Sequence, residues 1–536
     1  MGRKAFLILI FSLSLVFATS LPAQTKATAP APAAEQSVDL AILGGTLVDG
    51  SGTAPRVADV GIRGDRIVFI GDANKAKLAS KHVIVAKGLI VAPGFIDPHT
   101  HAGGDLSNPA KRGNVNYLMQ GVTTVITGND GGGPLNTGEV LKKWEEQGIG
   151  TNAAVYVGHG TVRGKVLGPG DVQPTLEQLE QMKGLVRAAM QEGALGLSSG
   201  LFYVPGSFSK TEEVIELAKV AGEMGGVYDT HMRDESNYSI GVLGSIEETI
   251  RIGREAKIPV NISHIKMLGP EVWGQSARAI EMIHKARAEG VRVTADQYPY
   301  TASGSSLIAS LMPPWAQAGG RAEMLARVND ANLQPRLMEE MAQNLKRRGG
   351  AEALLFTSAQ ATEIVSKTLA AVAKERNKPA METALDLVRE YVAKGGGGLS
   401  VASFNMNEAD IAALMKEDFV MTGSDGSAGH PRLYGTYPKK LREYVYTKKV
   451  ITLPFFVQHS AAMPAETLHL AERGMLRTGY FADVVVFDPA TVADRSTYEK
   501  PEVLATGMKY VIVNGKVAVE NGEYNGALAG RALRRK

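Results

Sequence analysis

The sequence predicts an α/β protein built on a (β/α)8 TIM-type barrel, with a small β-sandwich lobe assembled from both termini. Three observations predict it. Short alternating strand-like runs cluster at each end of the 536-residue chain. The long middle alternates apolar runs with helical stretches, the pattern of a parallel α/β architecture. Seven of eight apolar runs in that middle finish on His or Asp, and a barrel concentrates its chemistry at the C-terminal ends of its strands.

The first residues read as a secretory signal over 1–23. Arg3 and Lys4 precede an apolar run at 5–18 and a short cleavage zone. That run is shorter than the roughly 20 residues of a comfortable membrane span, although an uncleaved anchor is the alternative. Residues 24–37, rich in Ala, Pro and Thr, read as a flexible linker. The expectation is an exported, periplasmic or secreted protein that does not contact a membrane once the signal is cleaved.

The N-terminal part of the lobe, 38–93, carries Asp39-Leu-Ala-Ile-Leu43, Gly45-Thr-Leu-Val48, Val60-Gly-Ile-Arg63 and Arg66-Ile-Val-Phe-Ile70. Gly-Asp and Asp-Gly pairs separate these runs, as turns separate the strands of a meander. A matching set lies at 475–525: Ala482-Asp-Val-Val-Val-Phe-Asp488, Val511-Ile-Val-Asn-Gly515 and Lys516-Val-Ala-Val519. Each set alone is thin for a sheet, so the two are expected to form one lobe. Residues 526–536 read as a basic, solvated tail.

The barrel is expected over 94–474. Its strands end at Gly94-Phe-Ile-Asp-Pro-His99, Val122-Thr-Thr-Val-Ile-Thr-Gly-Asn-Asp130, Ala153-Ala-Val-Tyr-Val-Gly-His159 and Ala194-Leu-Gly-Leu-Ser-Ser199. The second four end at Gly226-Val-Tyr-Asp-Thr-His231, Val260-Asn-Ile-Ser-His264, Val291-Arg-Val-Thr-Ala-Asp296 and Phe419-Val-Met-Thr-Gly-Ser-Asp425. Between strands 7 and 8 the stretch at about 303–398 is too long for a loop. Its helical runs at 322–348 and 363–378 predict an inserted subdomain beside the active-site mouth.

Composition narrows the function. An apolar fraction of 44%, a charged fraction of 21% and a net charge of +3 describe an ordinary globular chain and give no argument for nucleic acid. The chain has no cysteine. Any metal site therefore uses imidazole and oxygen ligands, which points to a catalytic rather than a structural type.

His99 and His101, two apart along an extended chain, can offer both imidazoles to one ion. Two further strands end in His231 and His264, so four of only ten histidines sit at the ends of three parallel strands. Asp130, before three glycines, is a carboxylate able to bridge two cations; the competing reading is an Asx turn. Asp425 is placed to take a proton from an attacking water and pass it to a leaving group. Asp97, beside the histidine pair, reads as structural, and His159 as a residue lining the pocket.

At these residues the sequence resembles a known family. Gly94-Phe-Ile-Asp-Pro-His-Thr-His101 is similar to the opening strand of the amidohydrolase superfamily. Leu201-Phe-Tyr-Val-Pro-Gly206, Thr230-His-Met-Arg-Asp-Glu235, Ser263-His-Ile-Lys266, Asp296-Gln-Tyr-Pro-Tyr-Thr-Ala-Ser303, Gly423-Ser-Asp-Gly426 and His430-Pro-Arg-Leu-Tyr-Gly-Thr-Tyr-Pro438 resemble its D-aminoacylase (N-acyl-D-amino-acid deacylase) branch. The likeness runs over 39–522 and keeps the order of the motifs.

The resemblance implies a zinc hydrolase that cleaves the linear amide of an N-acyl-D-amino acid to a carboxylate and the free D-amino acid. By motif, His231 and His264 hold the tightly bound zinc, His99 and His101 serve a second, weaker site, and Asp425 is the acid/base. Tyr203, Lys266 and Arg432 fall where the family binds the substrate carboxylate, with Tyr298 and Ser303 in the same pocket. The family has a cysteine where this chain reads Gly128-Asn-Asp-Gly131, so Asp130 is the expected replacement ligand.

Two other readings compete. One keeps the barrel and metals but changes the substrate to a cyclic amide or a dipeptide with a C-terminal D-residue. Lys266 and Arg432 argue against the neutral cyclic amide, because they suit a free carboxylate. The other is a binding protein that has lost catalysis, which the retention of Asp425 and all four histidines disfavours.

Overall fold

A computed structural model describes residues 1–2, 37–358, 362–394 and 399–535. The expected signal beyond residue 2, and the linker up to residue 36, lie outside the described residues. Among the described residues no helix is long and apolar enough to cross a membrane.

Eight parallel strands form the barrel: Phe95–Asp97, Val122–Thr127, Asn152–Val155 continued by Val157–Gly158, Gly196–Gly200, Val227–His231, Val260–Ile262, Val293–Gln297 and Val420–Thr422. The backbone N–H of Leu195 donates to Val155 O at 2.9 Å, joining the third strand to the fourth. A parallel bridge between Thr100 and Gly426 closes the ring, with Asp425 N donating to His99 O at 2.9 Å. The strands are buried on both faces because helices cover the outside, so their sequences read as continuous apolar runs rather than alternations.

Strands from both ends of the chain meet in one nine-stranded sheet. Its order is Glu523–Tyr524, Lys516–Glu520, Met508–Val513, Val484–Phe487, Ile90–Pro93, Ser37–Leu47, Arg56–Arg63 and Arg66–Gly71, with Ala79–Val85 also pairing with Ser37–Leu47. The junction is the antiparallel pair of Ile90–Pro93 with Val484–Phe487. Its apolar side, including Ile42, Val60, Ile62, Val91, Val484 and Ile512, makes a core of its own.

The insertion is built on a three-stranded antiparallel sheet of Ala302–Ser306, Ser400–Phe404 and Leu354–Ser358. Its return strand thus extends past residue 398, beyond the boundary the sequence suggested. Leu307, Val328, Leu337, Met341, Phe356 and Val388 form a separate apolar core. The helical run at 322–348 divides into Arg321–Asn329 and Gln334–Arg347, because Pro335 suits only the first turn of a new helix. The run at 363–378 breaks into a 3-10 turn at Thr362–Ile364 and the short helix Leu369–Glu375, followed by Ala380–Ala393.

The chain's C-terminal residues correct another expectation. Residues 526–535 are not a solvated tail. Leu533 N donates to Ala153 O, Ala153 N donates to Arg531 O, and Arg534 ion-pairs with Glu145. Small residues there let the backbone press against the third barrel strand, while the arginines reach outward to acidic partners.

Candidate metal centre

The second strand turns sharply into Asp130, whose φ is +57°, a left-handed conformation that Asp tolerates better than most residues. Gly131 and Gly133 follow because the loop lies against the neighbouring strands; a Cβ on Gly133 would collide with the Tyr156 carbonyl oxygen. Ser198 on the fourth strand pins the loop. Its hydroxyl donates to Gly128 O at 2.5 Å and accepts from Gly131 N at 3.2 Å. The one strand without a terminal His or Asp therefore serves by holding Asp130 in place.

The Asp130 side chain forms no local turn but points into the histidines. Its Oδ1 lies 3.4 Å from His99 Nε2, 3.7 Å from His264 Nε2 and 3.8 Å from His231 Nδ1, and its Oδ2 lies 3.5 Å from His101 Nε2. Asp425 Oδ1 stands 3.1 Å from His101 Nε2 and 3.7 Å from His99 Nε2. His99, Asp130, His264 and Asp425 each offer an atom to one small region. His264 (φ +37°) and Asp425 (φ +46°) share the left-handed backbone of Asp130, and such strain gathers at functional sites.

Several of these spacings are long for hydrogen bonds but close to the edge of a coordination shell. Ligands about 2.1 Å from a tetrahedral ion stand roughly 3.4 Å apart. Both ring nitrogens of His99 and Oδ1 of Asp130 are buried without a hydrogen-bond partner. Burial opposes a charge on His99, yet Asp130, Asp296 and Asp425 outweigh it and push the imidazole well above its ordinary value. Burial and Lys266 likewise oppose protonation of His264, but Glu235, Asp425 and Asp130 raise it to about 9. His231 goes the other way, lowered to about 4 by burial. The carboxylates thus draw positive charge into the cluster, the same pull that retains a metal cation. The donor set fits a zinc ion.

Supporting groups complete the centre. Glu235, four residues after His231, was not singled out in the sequence. Its Oε1 is 3.1 Å from His264 Nδ1 and accepts from Lys266 Nζ at 2.5 Å, and Lys266 Nζ stands 2.8 Å from the same imidazole nitrogen, so the pair orients the His264 ring. Beneath the cluster Asn261 donates to Asp229 and Asp296, and Asp296 accepts from the His264 N–H at 3.0 Å. Asp97 is structural as expected: it accepts from His99 N and Ser424 N, and burial raises its carboxyl to about 7. His159 stands apart from the metal cluster, paired with Glu213 at 2.8 Å.

The expected substrate residues divide. Tyr203, Lys266, Tyr298 and Ser303 line a narrow slit with His231, His264 and Asp425. Arg432 lines a chamber of about 350 Å³ that opens over His101, Asp130 and Asp425 beneath the inserted subdomain. Lys266 is turned to Glu235, and Arg432 Nη1 contacts Asp425 Oδ2 at 2.8 Å. Ser303 donates to Asn405 Oδ1. The Tyr298 hydroxyl is buried without a partner, under the Arg432 guanidinium at 4.7 Å from its ring.

A model of the amidohydrolase family matches residues 82–519. The D-aminoacylase of Alcaligenes xylosoxydans xylosoxydans is 36% identical over 527 residues, spanning 93% of this chain and 98% of that protein. The chain belongs to the amidohydrolase family, in its D-aminoacylase branch. Two solved amidohydrolases extend the likeness. A D-aminoacylase structure, described in terms of one-metal activation and second-metal attenuation at a binuclear centre, is 33% identical with a TM-score of 0.79. It covers 93% of this chain and all of that one. The N-acyl-D-glutamate deacylase of Bordetella bronchiseptica, complexed with zinc and a phosphonate mimic of the tetrahedral intermediate, is 30% identical at the same TM-score and coverage. At 30–33% identity these structures share the overall fold of this chain.

Proposed function

We propose that the protein is a zinc-dependent hydrolase that removes the acyl group from N-acyl-D-amino acids, giving a carboxylate and a free D-amino acid. The observation that carries this reading is Asp130 set among four imidazoles, with Asp425 beside it. The identity with D-aminoacylase and the zinc in the Bordetella relative supply its chemistry.

His231, His264 and Asp130 would hold the tightly bound ion, with His99 and His101 serving a weaker second one. A zinc ion there supplies Lewis acidity, polarising an amide carbonyl and easing the deprotonation of water. Asp425 accepts the water's proton at a carboxylate oxygen as the C–O bond forms, then delivers it to the amide nitrogen as the C–N bond breaks. Burial raises the Asp425 carboxyl, but Arg432 and the histidines outweigh this and keep it ionised and ready. The donors of Arg432 not committed to Asp425 and Ser427, with the Tyr298 and Tyr203 hydroxyls, are suited to the substrate's α-carboxylate. Lys266 acts through Glu235 and His264 rather than as a free anion-binding group.

The test is a hydrolysis screen of paired N-acetyl-D- and N-acetyl-L-amino acids, with zinc restored after chelation. Turnover of the D-series alone is expected. Turnover confined to the L-series would overturn the stereochemical assignment. Export rests on Arg3, Lys4 and the apolar run at 5–18. Fractionation of the producing cells, with N-terminal sequencing expected to begin near residue 24, tests it.

A further inference from the structure

The cations around the slit are unequal. Lys266 pairs with Glu235 at 2.5 Å, and Arg432 with Asp425 at 2.8 Å. A third cation reaches the same slit from the inserted subdomain. Arg348 caps the C-terminus of the helix Gln334–Arg347, where Gly349 (φ +88°) and Gly350 (φ +90°) turn the chain sharply away. It is only 3% exposed, yet no carboxylate among the described residues lies within ion-pair distance of it.

Arg348 is held in place without being neutralised. Its Nε donates to the Tyr238 hydroxyl at 2.7 Å, and its guanidinium carbon lies 5.6 Å from the ring centres of both Phe202 and Tyr238. Its neighbour Arg347 is used differently, bonding Asn237 and Asn344. Keeping a cation buried without a counter-charge is costly, and a bound anion relieves that cost.

We propose that Arg348 is a specificity-determining residue that binds a second carboxylate on the substrate. This rests on the N-acyl-D-amino-acid reading above and deepens it. The preferred substrates are then dicarboxylic, with the extra carboxylate on the D-amino-acid side chain or at the far end of a dicarboxylic acyl group. The slit in front of Arg348 measures about 10 Å³, close to the room of one water. Only a small terminal group reaches it, and a side-chain turn must widen the slit to admit a carboxylate.

The experiment uses the full chain loaded with zinc. N-acetyl-D-glutamate is compared with its isosteric amide N-acetyl-D-glutamine, and N-succinyl-D-leucine with its terminal amide. The carboxylate of at least one pair is expected to give a kcat/KM about 10- to 100-fold higher than its amide, mainly through KM, and the preferred pair identifies the source. In Arg348→Gln the carboxylate-to-amide ratio should collapse toward one, and in Arg348→Lys it should recover in part. Amides turned over as well as carboxylates in both pairs would overturn the inference even if Arg348→Gln failed to fold. A ratio unchanged in a folded Arg348→Gln would do the same. Hydrolysis of N-acetyl-D-leucine without any carboxylate preference would remove the role of Arg348 and leave the deacylase reading standing. Failure on every N-acyl-D-amino acid would remove both.

Discussion

Arg432 Nη1 lies 2.8 Å from Asp425 Oδ2, while His101 Nε2 lies 3.1 Å from the other oxygen of the same carboxylate. Asp425 is therefore gripped from the substrate side by a guanidinium and from the metal side by an imidazole. Replacing it with Asn keeps the shape and removes the base. Asp425→Asn should lower kcat by about 10²- to 10⁴-fold while zinc content, read by elemental analysis, stays near the wild-type value. A variant that loses zinc in proportion to activity would instead make Asp425 chiefly a metal ligand.

Removing the guanidinium tests the electrostatics. Burial alone would raise the Asp425 carboxyl, and Arg432 is the foremost charge opposing that rise. A group with a depressed pKa is ionised over a wider range and loses its charge only as the pH falls through that value. In Arg432→Gln the pKa climbs, so the acid limb of the kcat/KM profile should move to higher pH. A limb that stays in place would detach Arg432 from the titration of Asp425.

Asp130→Asn removes the negative charge shared by four imidazoles. Zinc affinity should fall by at least about 100-fold, because neutral imidazoles alone leave the cation's charge uncompensated. Chelating the wild type should lower its melting temperature, and added zinc should restore it, since a ligand that binds only the folded state stabilises that state. Equal melting with and without zinc would show that the cluster does not bind it in the folded protein.

The loop that carries Asp130 is tested from its neighbours. Ser198→Ala removes both bonds that pin it and should weaken zinc binding by about 10-fold. Gly133→Ala, which drives a methyl into the Tyr156 carbonyl, should cost more. Metal titration followed by calorimetry measures both, and tighter binding in either variant would contradict the pinning.

Much of this architecture can be read from one sequence, for identifiable reasons. The strand ends were legible because each apolar run stops at a polar ligand type, and parallel strands bring those ends to one mouth. Asp130 could be suspected but not resolved, since an Asx turn and an inward carboxylate look alike before three glycines. Glu235 was missed because one carboxylate four residues past a histidine is unremarkable until Lys266 and His264 converge on it from another strand. Arg348 was invisible for a different reason: the end of an amphipathic helix normally faces water. Only the docking of the insertion onto Phe202 and Tyr238 buries it. The C-terminal residues were misread because their basic side chains do point outward, while their backbone does the pairing.

A buried network joins lobe and barrel. Arg473 ion-pairs with Asp483 and donates to Asn514 Oδ1 at 2.9 Å, and Asn152 of the third barrel strand bonds both Asp483 and Asn514. Arg473→Met leaves Asp483 charged and buried, so chemical denaturation should show a loss of about 3–5 kcal/mol. A loss under 1 kcal/mol would mean that water reaches the pair.

The lobe has a consequence for how the chain is made. Its first strands leave the ribosome early, yet Ile90–Pro93 pairs with Val484–Phe487, which is synthesised only after the whole barrel and its insertion. Such distant pairings form slowly, because a long loop must close before any contact rewards it. The nascent N-terminal strands therefore wait with an open edge, and the strands from Val484 onward act as a latch that closes the sheet. A truncated product lacking that latch would expose the waiting strands, marking it for aggregation or proteolysis rather than for partial activity.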